Sequence, residues 1–336
     1  MTSSPRLQLL SSCPDSIGSQ PDEYFRKVVD AAQRAEQAGH QALLIHSSNQ
    51  LSDPWAVAQM VMHETKQISP IVTVQPLYSH PYAVAKKVVT LAQRYGRAPH
   101  LNLASGAYRA DLLSLGDRTP HDERYARLVE FGTVVQRLLR SEDPVVFDGD
   151  FYRLHKPAAL PPIPPSQQPS FFVCATSAAG REAAQELGAT TVHHVTTTTT
   201  STTPCIRLGV IARETDEAAW DAARARFPVD HANRFAHRLE LAWSDSRSQA
   251  ELQAAAHEGE MNDDHLWLAP FESRQAHCAY VVGSHAEVAK QVRKWMDTGT
   301  HTFLLDDPGS ETDLEHTRVV FERAWKRYCS PLAVSA

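Results

Sequence analysis

The fold is decided by residues 42–74, which read ALLIHSSNQLSDPWAVAQMVMHETKQISPIVTV. The apolar run 42–45 is short enough for a strand that is buried on both faces of a parallel sheet. Residues 53–65 have a helical pattern, with Asp53 as N-cap and proline at the first helical position. The β-branched run 71–75 predicts the next strand. This order of strand, helix and strand predicts a parallel sheet with crossover helices.

The same alternation continues on both sides of this unit. Eight strands are predicted, near residues 8, 44, 73, 102, 172, 193, 209 and 304. The helices predicted between them cover residues 22–38, 53–65, 81–95, 120–140, 178–187, 217–227, 285–298 and 313–328. Eight parallel strands with intervening helices favour an α/β fold closed into a (β/α)8 TIM barrel, and a doubly wound open sheet is the main alternative.

Two insertions interrupt what we interpret as one barrel domain over residues 1–336. The first, residues 141–169 after strand four, is rich in proline and contains a predicted hairpin over 145–154. The second, about 230–280 after strand seven, is polar and rich in histidine, and we expect part of it to form a lid. The tract TTTTTSTT at 196–203 replaces a crossover helix, and because threonine is a poor helix former we predict a loop there.

Charge and composition exclude several classes of protein. With a net charge of -6, the chain offers no basic surface for nucleic acid or anionic lipid. We find no apolar run of the roughly 18 residues that a membrane span needs, and the first residues do not resemble a secretory signal. The five cysteines are dispersed without CxxC spacing, which is typical of reduced thiols. We therefore expect a cytoplasmic protein.

Two stretches have the residue types of an anion site. In LNLASGAYRADLLSLGDRTPHDERY (101–125), His121 and Tyr125 lie one turn apart at the start of a predicted helix, where an imidazole and a phenol would receive a phosphate. In FFVCATSAAG (171–180), a strand leads into Ala175, Thr176 and Ser177 and then a helix, which offers hydroxyls and free amides. The alternative is ordinary helix capping and core packing at both places.

The chain has 17 histidines, so a metal site has to be considered. His46, His193 and His194 follow or end predicted strands, where barrel active sites lie. No HExxH or other ligand spacing is present, and we predict no metal. We expect the remaining histidines of the second insertion to lie on the solvated surface; they are His231, His237, His257, His265 and His277.

The motifs LNLASG, HDERY, VVFDGDFYRL and FFVCATSAAG occur in this order and resemble the bacterial luciferase-like flavin monooxygenases, with alkanesulfonate monooxygenases as the most similar subgroup. The likeness covers about residues 22–328. It implies a barrel enzyme that takes reduced FMN (FMNH2) from a separate NAD(P)H:flavin reductase. It also implies a reaction with O2 through a C4a-peroxyflavin, a small-molecule substrate, and a homodimer or dimer of dimers.

The resemblance also assigns residues to the cofactor. His121, Tyr125 and Ser177 would hold the FMN phosphate, with Ala175 and Thr176 beside it. On a neighbouring strand, Asn102 would approach the flavin ring.

The substrate side of the resemblance rests on two arginines. Arg207 occupies the place of the family's catalytic arginine, and Arg274 that of the arginine in its lid. Paired hydrogen bonds from such guanidinium groups would suit an anionic substrate. We expect His46 and His194 to supply further polar groups of the catalytic site.

Several departures from the subgroup argue against an alkanesulfonate as the substrate. Leu51 replaces a cysteine, Gly209 replaces a histidine, and the expected tryptophan and tyrosine are missing near Val195 and residues 306–308. The alternatives are an F420-dependent oxidoreductase of the same superfamily and a flavin-binding or assembly protein without catalysis. A metal-dependent hydrolase is a further alternative, which only the histidine count supports.

Overall fold

The computed structural model describes residues 6–174, 176–196, 203–241, 244–257 and 265–329. Ala175 and residues 197–202 of the threonine tract, on which two predictions fall, lie outside the described residues. The strands are β1 (Gln8–Ser12), β2 (Ala42–Ile45), β3 (Ser69–Val74), β4 (His100–Leu103), β5 (Val146–Asp148), β6 (Arg153–His155), β7 (Phe171–Val173), β8 (Thr190–His194), β9 (Cys205–Arg213), β10 (Leu266–Trp267), β11 (Tyr280–Ser284) and β12 (Thr302–Leu305).

The helices largely follow the pattern expected from the sequence. They are α1 (Pro21–Gln37), α2 (Pro54–Glu64), α3 (Pro81–Tyr95), α4 (Arg109–Ser114), α5 (His121–Arg140), α6 (Ala178–Glu186), α7 (Asp216–Arg226), α8 (His231–Leu241), α9 (Arg247–His257), α10 (Ala269–Glu272), α11 (His285–Asp297) and α12 (Glu311–Cys329). Among the described residues, no helix combines the length and the apolar character that crossing a membrane requires.

The predicted barrel is confirmed by the strand pairing. Parallel neighbours follow the order β1-β2-β3-β4-β7-β8-β9-β12, and β12 pairs with β1 to close the ring. At the two closing seams, Leu10 lies opposite Leu304 and Val192 lies opposite Cys205. The open-sheet alternative is wrong, because an open sheet has two unpaired edges and this ring has none.

Alternation along the strands explains why short apolar runs build this barrel. In β2, Ala42 and Leu44 belong to the cluster inside the barrel, whereas Leu43 and Ile45 pack outward in the layer beneath the helices. Successive side chains of a strand point to opposite faces, so both faces of a buried strand must be apolar. At the carboxyl ends of the strands this inner layer gives way to polar side chains.

Local capping places the helices at the predicted positions. The Asp53 carboxylate accepts hydrogen bonds from the amides of Trp55 and Ala56, 3.0 Å in each case, and thereby starts α2. Ser177 starts α6 in the same way, since its Oγ accepts from the amide of Gly180 at 3.2 Å. Such caps satisfy amides that have no partner within the helix.

The two insertions differ in character. The first contains the predicted hairpin, β5 paired with β6. The described part of the second is more regular than the sequence suggested, because it forms α8, α9, β10 and α10 before β11 begins. Strand β11 pairs with the second half of β9, with Tyr280 opposite Gly209, and so attaches the end of the insertion to the barrel.

Candidate active site

A cavity of about 540 Å³ opens at the carboxyl end of the barrel strands. Its floor includes the apolar barrel residues Leu10, Ile71 and Leu304. Five residues that the sequence assigned to the site line this one cavity: His46, Asn102, His194, Arg207 and Arg274. They come from separate elements, and the barrel brings them together because its strands all end at this face.

Arg207 lies at the centre of the polar network. It projects from β9 and is 6% exposed. Its Nη2 lies 3.0 Å from Nε2 of His46 and 3.6 Å from Oδ1 of Asp306. The other oxygen of Asp306 accepts a hydrogen bond from the Tyr280 hydroxyl at 2.9 Å. The sequence analysis identified neither Asp306 nor Tyr280, although Asp306 directly follows β12 and therefore stands at the active face.

Both histidines at the barrel mouth are held in the neutral form. Burial lowers the pKa of His46 well below its usual value, and the positive charge of Arg207 lowers it further. Burial and the neighbouring Arg207 likewise depress the pKa of His194. A charged imidazole loses solvation in such a place, so the neutral ring is favoured.

His194 also contacts a thiol. Its Nε2 lies 3.9 Å from Sγ of Cys174, and its Nδ1 is buried without a partner among the described residues. Burial raises the pKa of the Cys174 thiol. His193, which the sequence analysis also placed at the end of this strand, does not line the cavity. The two side chains point to opposite faces of β8 because they are adjacent along the strand.

The expectation that the histidines of the second insertion are solvated is wrong for His237, whereas the side chain of His277 is 43% exposed and still lines the cavity. His237 is 5% exposed and lines the cavity. The ring of His277 lies 4.7 Å from that of His46, and its Nε2 is 3.2 Å from Oδ2 of Asp15. Burial would raise the pKa of Asp15, but the hydrogen bond and charge of His277 outweigh it and lower the pKa. The polar composition of this insertion reflects a polar cavity as well as solvent.

Arg274 crosses the mouth of the cavity. Its Nη2 lies 3.3 Å from Oε1 of Gln50, which belongs to the loop after β2. The backbone of Arg274 has a φ of 57°, in the left-handed region that side chains other than glycine rarely adopt. Such outliers are frequent at ligand sites. The position agrees with the lid role that the sequence predicted, although the role itself stays a prediction.

A smaller pocket of about 60 Å³ gathers the predicted phosphate ligands. His121, Tyr125, Thr176 and Ser177 all line it, together with residues 103–107. The hydroxyl of Thr176 is buried and has no partner among the described residues. Ser177 brings the N-terminus of α6 to this pocket, and helix N-termini are frequent anion sites.

The charges around the small pocket are partly balanced. His121 Nδ1 lies 2.7 Å from Oδ1 of Asp122, and Asp245 pairs with Arg124 at 3.2 Å. Arg181 donates a hydrogen bond to the carbonyl of Thr176. Toward solvent, a groove of about 900 Å³ continues from His121 and Ser177 along Arg109, Arg118 and Arg247. The groove is lined by four arginines and three aspartates, so guanidinium groups exceed carboxylates there by one.

The small pocket and the barrel cavity are neighbours with a common wall. Gly106, Cys174, Ser246 and Ser248 line both. Gly106 has a φ of 98°, and an added Cβ would lie 2.7 Å from the Leu112 side chain, so glycine is required where the backbone passes between the pockets. Asn102 donates to Thr73 Oγ1 at 3.1 Å on the cavity side. An elongated molecule with a phosphate at one end would therefore span both.

Metal ligands do not gather at either pocket. Within the described ranges, no cluster of three or more histidine, cysteine, aspartate or glutamate side chains has the arrangement to hold a metal ion.

Comparison with known proteins gives the family. A sequence model described as luciferase-like monooxygenase matches residues 7–302. The 4-(gamma-L-glutamylamino)butanoyl-acyl-carrier-protein monooxygenase BtrO of Niallia circulans is 28% identical over 307 residues, covering 88% of this chain and 90% of that protein.

Solved structures share the fold. EDTA monooxygenase from Chelativorans sp. BNC1 has a TM-score of 0.67 at 16% identity, over 98% of this chain and 96% of its own. The oxygenating constituent of 3,6-diketocamphane monooxygenase from Pseudomonas putida, solved with FMN, has a TM-score of 0.65 at 15% identity, over 96% and 98%. Since the family match extends over most of the sequence, the chain belongs to the luciferase-like monooxygenase family and is a flavin-dependent monooxygenase.

Proposed function

We propose that the protein is the oxygenase of a two-component system that receives FMNH2 from a separate NAD(P)H:flavin reductase. One oxygen atom of O2 enters a small anionic substrate, the other leaves as water, and FMNH2 leaves as FMN. The observation that carries this proposal is the pocket of His121, Tyr125, Thr176 and Ser177, which adjoins the polar cavity of the barrel.

The phosphate end of FMN fits the small pocket. A buried hydroxyl without a partner costs roughly 1–3 kcal/mol, so the orphaned Thr176 Oγ1 favours a ligand that bonds to it. A phosphate oxygen would accept from Thr176, from the phenol of Tyr125 and from the His121 ring. The N-terminus of α6, which is the positive end of the helix dipole, would also attract the phosphate. The FMN in the Pseudomonas putida structure supports this choice of cofactor.

The ring end would enter the barrel cavity. Asn102 is 8% exposed and fixed by Thr73, so its amide would meet the polar edge of a flavin ring. The apolar floor of Leu10, Ile71 and Leu304 would cover part of the ring face. A volume of about 540 Å³ lies in the range of roughly 300–1,000 Å³ that small-molecule sites occupy.

The substrate side has two guanidinium groups. Arg207 and Arg274 line the same cavity, and guanidinium groups bind carboxylates through paired hydrogen bonds. The gamma-glutamyl group in the name of the Niallia circulans relative has a free α-carboxylate beside its α-amino group, and a guanidinium could bind such a carboxylate here. When bound, the reduced flavin would react with O2 and supply the oxidising chemistry. Protein side chains would orient the substrate, and α8 to α10 would keep water from the cavity.

Anaerobic titration with FMNH2, followed by rapid mixing with O2, tests the proposal. We expect binding, and flavin reoxidation with a time course that differs from that of free FMNH2. The absence of binding to both FMN and FMNH2 would overturn it. Binding of F420 in preference to FMN would indicate a hydride-transferring enzyme. Reoxidation identical to that of free flavin would indicate a flavin-binding protein without catalysis.

A further inference from the structure

Four side chains form a continuous polar chain behind the barrel cavity. The Tyr280 hydroxyl donates to Asp306 Oδ2, Asp306 Oδ1 faces Arg207 Nη2, and Arg207 Nη2 contacts His46 Nε2, at 2.9, 3.6 and 3.0 Å. Tyr280, Asp306 and Arg207 lie on or just after neighbouring strands, whereas His46 follows β2, which is separated from β9 by β12 and β1 in the ring. The polar chain therefore extends across part of the active face.

The contact between Arg207 and His46 fixes the protonation of the ring. A guanidinium group has only donors and keeps its proton in proteins. Because Arg207 can only donate, Nε2 of His46 must be the unprotonated nitrogen, and the ring proton lies on Nδ1. That Nδ1 has no hydrogen-bond partner among the described residues, and it is not among their fully buried unpaired atoms. Since His46 lines the cavity, a molecule bound there could accept a hydrogen bond from this nitrogen.

Tyr280 is held in place by packing. It is 1% exposed, and its ring lies 4.9 Å from that of Phe227. A Cβ at Gly209, the residue opposite on β9, would overlap the Tyr280 ring. Glycine at this position makes the space in which the ring lies flat on the strand and directs its hydroxyl at Asp306. The network thus depends on the backbone of β9 as well as on its side chains.

We propose that Tyr280 and Asp306 are positioning residues that hold Arg207 against His46, so that His46 presents Nδ1–H to an oxygen atom of the molecule bound in the cavity. The identity of that molecule rests on the proposed function, but the state of the ring does not. In this arrangement His46 is a hydrogen-bond donor and does not act as a base through Nε2.

The surroundings of His46 preserve this state. Arg207 on β9, His194 at the end of β8 and His277 before β11 all face it, and the permanent charge of Arg207 would repel a proton on the ring. The nearest carboxylates are engaged elsewhere, since Asp15 bonds to His277 and Asp306 bonds to Tyr280. The neutral ring with its proton on Nδ1 therefore persists through the neutral pH range.

Nitrogen NMR of histidine-labelled protein without flavin tests the ring state directly. We expect one ring, assigned by its loss in His46→Gln, to show protonated Nδ1 and bare Nε2 from pH 6 to 8. In Tyr280→Phe and Asp306→Asn, we expect the same ring to show mixed tautomers or to titrate. A wild-type ring with its proton on Nε2, or one that titrates near pH 6.5, would overturn the proposal.

Steady-state kinetics provide the second measurement. Tyr280→Phe keeps the ring and removes only the hydroxyl, and Tyr82→Phe is a matched control because it removes a similar bond, to the Ala158 carbonyl, far from the cavity. We expect about a tenfold fall in kcat/KM for Tyr280→Phe alone, at equal thermal stability. Equal kcat/KM in the two variants would contradict the positioning role. If the protein does not bind flavin but the His46 ring still shows protonated Nδ1 and bare Nε2, the result contradicts the proposed function and not the proposed state of the ring.

Discussion

The rings of His121 and Tyr125 meet edge to face with 5.1 Å between their centroids, one turn apart at the start of α5. Ser177 lines the same small pocket from the start of α6. The N-termini of α5 and α6 thus lie together at the same end of the barrel as His46 and Arg207. This convergence allows one molecule to contact an anion pocket and a catalytic cavity together.

Tyr125→Phe tests the phenol as a phosphate donor. The variant keeps the ring and removes one hydrogen bond to a charged group, so we expect FMN to bind about tenfold more weakly. Quenching of flavin fluorescence measures the affinity. Tyr82→Phe, whose hydroxyl lies outside the pocket, should bind FMN as the wild type does. Unchanged affinity in Tyr125→Phe would remove Tyr125 from the site.

Ser177→Ala tests whether the α6 cap also binds the cofactor. Thr215 caps α7 in the same way, through the Ala218 amide at 3.2 Å, and lines none of the pockets described above. Loss of either cap should lower the free energy of unfolding by about 1 kcal/mol. Only Ser177→Ala should also weaken FMN binding. If both variants bind FMN equally well, Ser177 has only a structural role.

The eight barrel strands could be predicted because most of them are short apolar runs between helical patterns, whereas β10 and β11, which pair outside the ring, were not predicted. Asp306 and Tyr280 could not be predicted as site residues, because their roles arise from contacts between strands distant along the chain. The solvated position predicted for His237 was wrong for a related reason. A polar segment that covers a polar cavity has the composition of a solvated loop, and only the tertiary structure separates the two.

Gly209→Ala tests the packing beneath Tyr280. The added methyl would overlap the ring, so the ring must shift away from Asp306. We expect the free energy of unfolding to fall by roughly 1–3 kcal/mol, as in other overpacked cores, and the activity to fall as well. Chemical denaturation measures the first effect. The double variant Gly209→Ala/Tyr280→Leu should lose less free energy of unfolding than the sum of the losses in the two single variants. Strictly additive losses would show that the two sites do not interact.

His40 makes the fold sensitive to acid. Burial lowers its pKa to about 4, and Nδ1 lies 2.5 Å from Ser11 Oγ. Because the unfolded chain takes up this proton near pH 6.5 and the folded chain only near pH 4, stability is complete above pH 6.5 and falls below it. We expect a loss of roughly 2–3 kcal/mol between these limits from this residue.

Urea unfolding between pH 7 and 4.5 measures this effect. In His40→Gln, the free energy of unfolding should depend less steeply on pH, because unfolding then takes up about one proton fewer. The exposed His63 provides the control, since His63→Gln should leave that dependence unchanged. An equally steep acid loss in His40→Gln and the wild type would show that other groups cause it.

A crystal structure of the protein with FMN tests the central claim most directly. We predict that the phosphate lies within hydrogen-bond distance of His121, Tyr125 and Ser177. The flavin ring should then extend past Gly106 into the barrel beside Asn102. A phosphate bound away from these side chains, or a flavin ring outside the barrel mouth, would contradict the account.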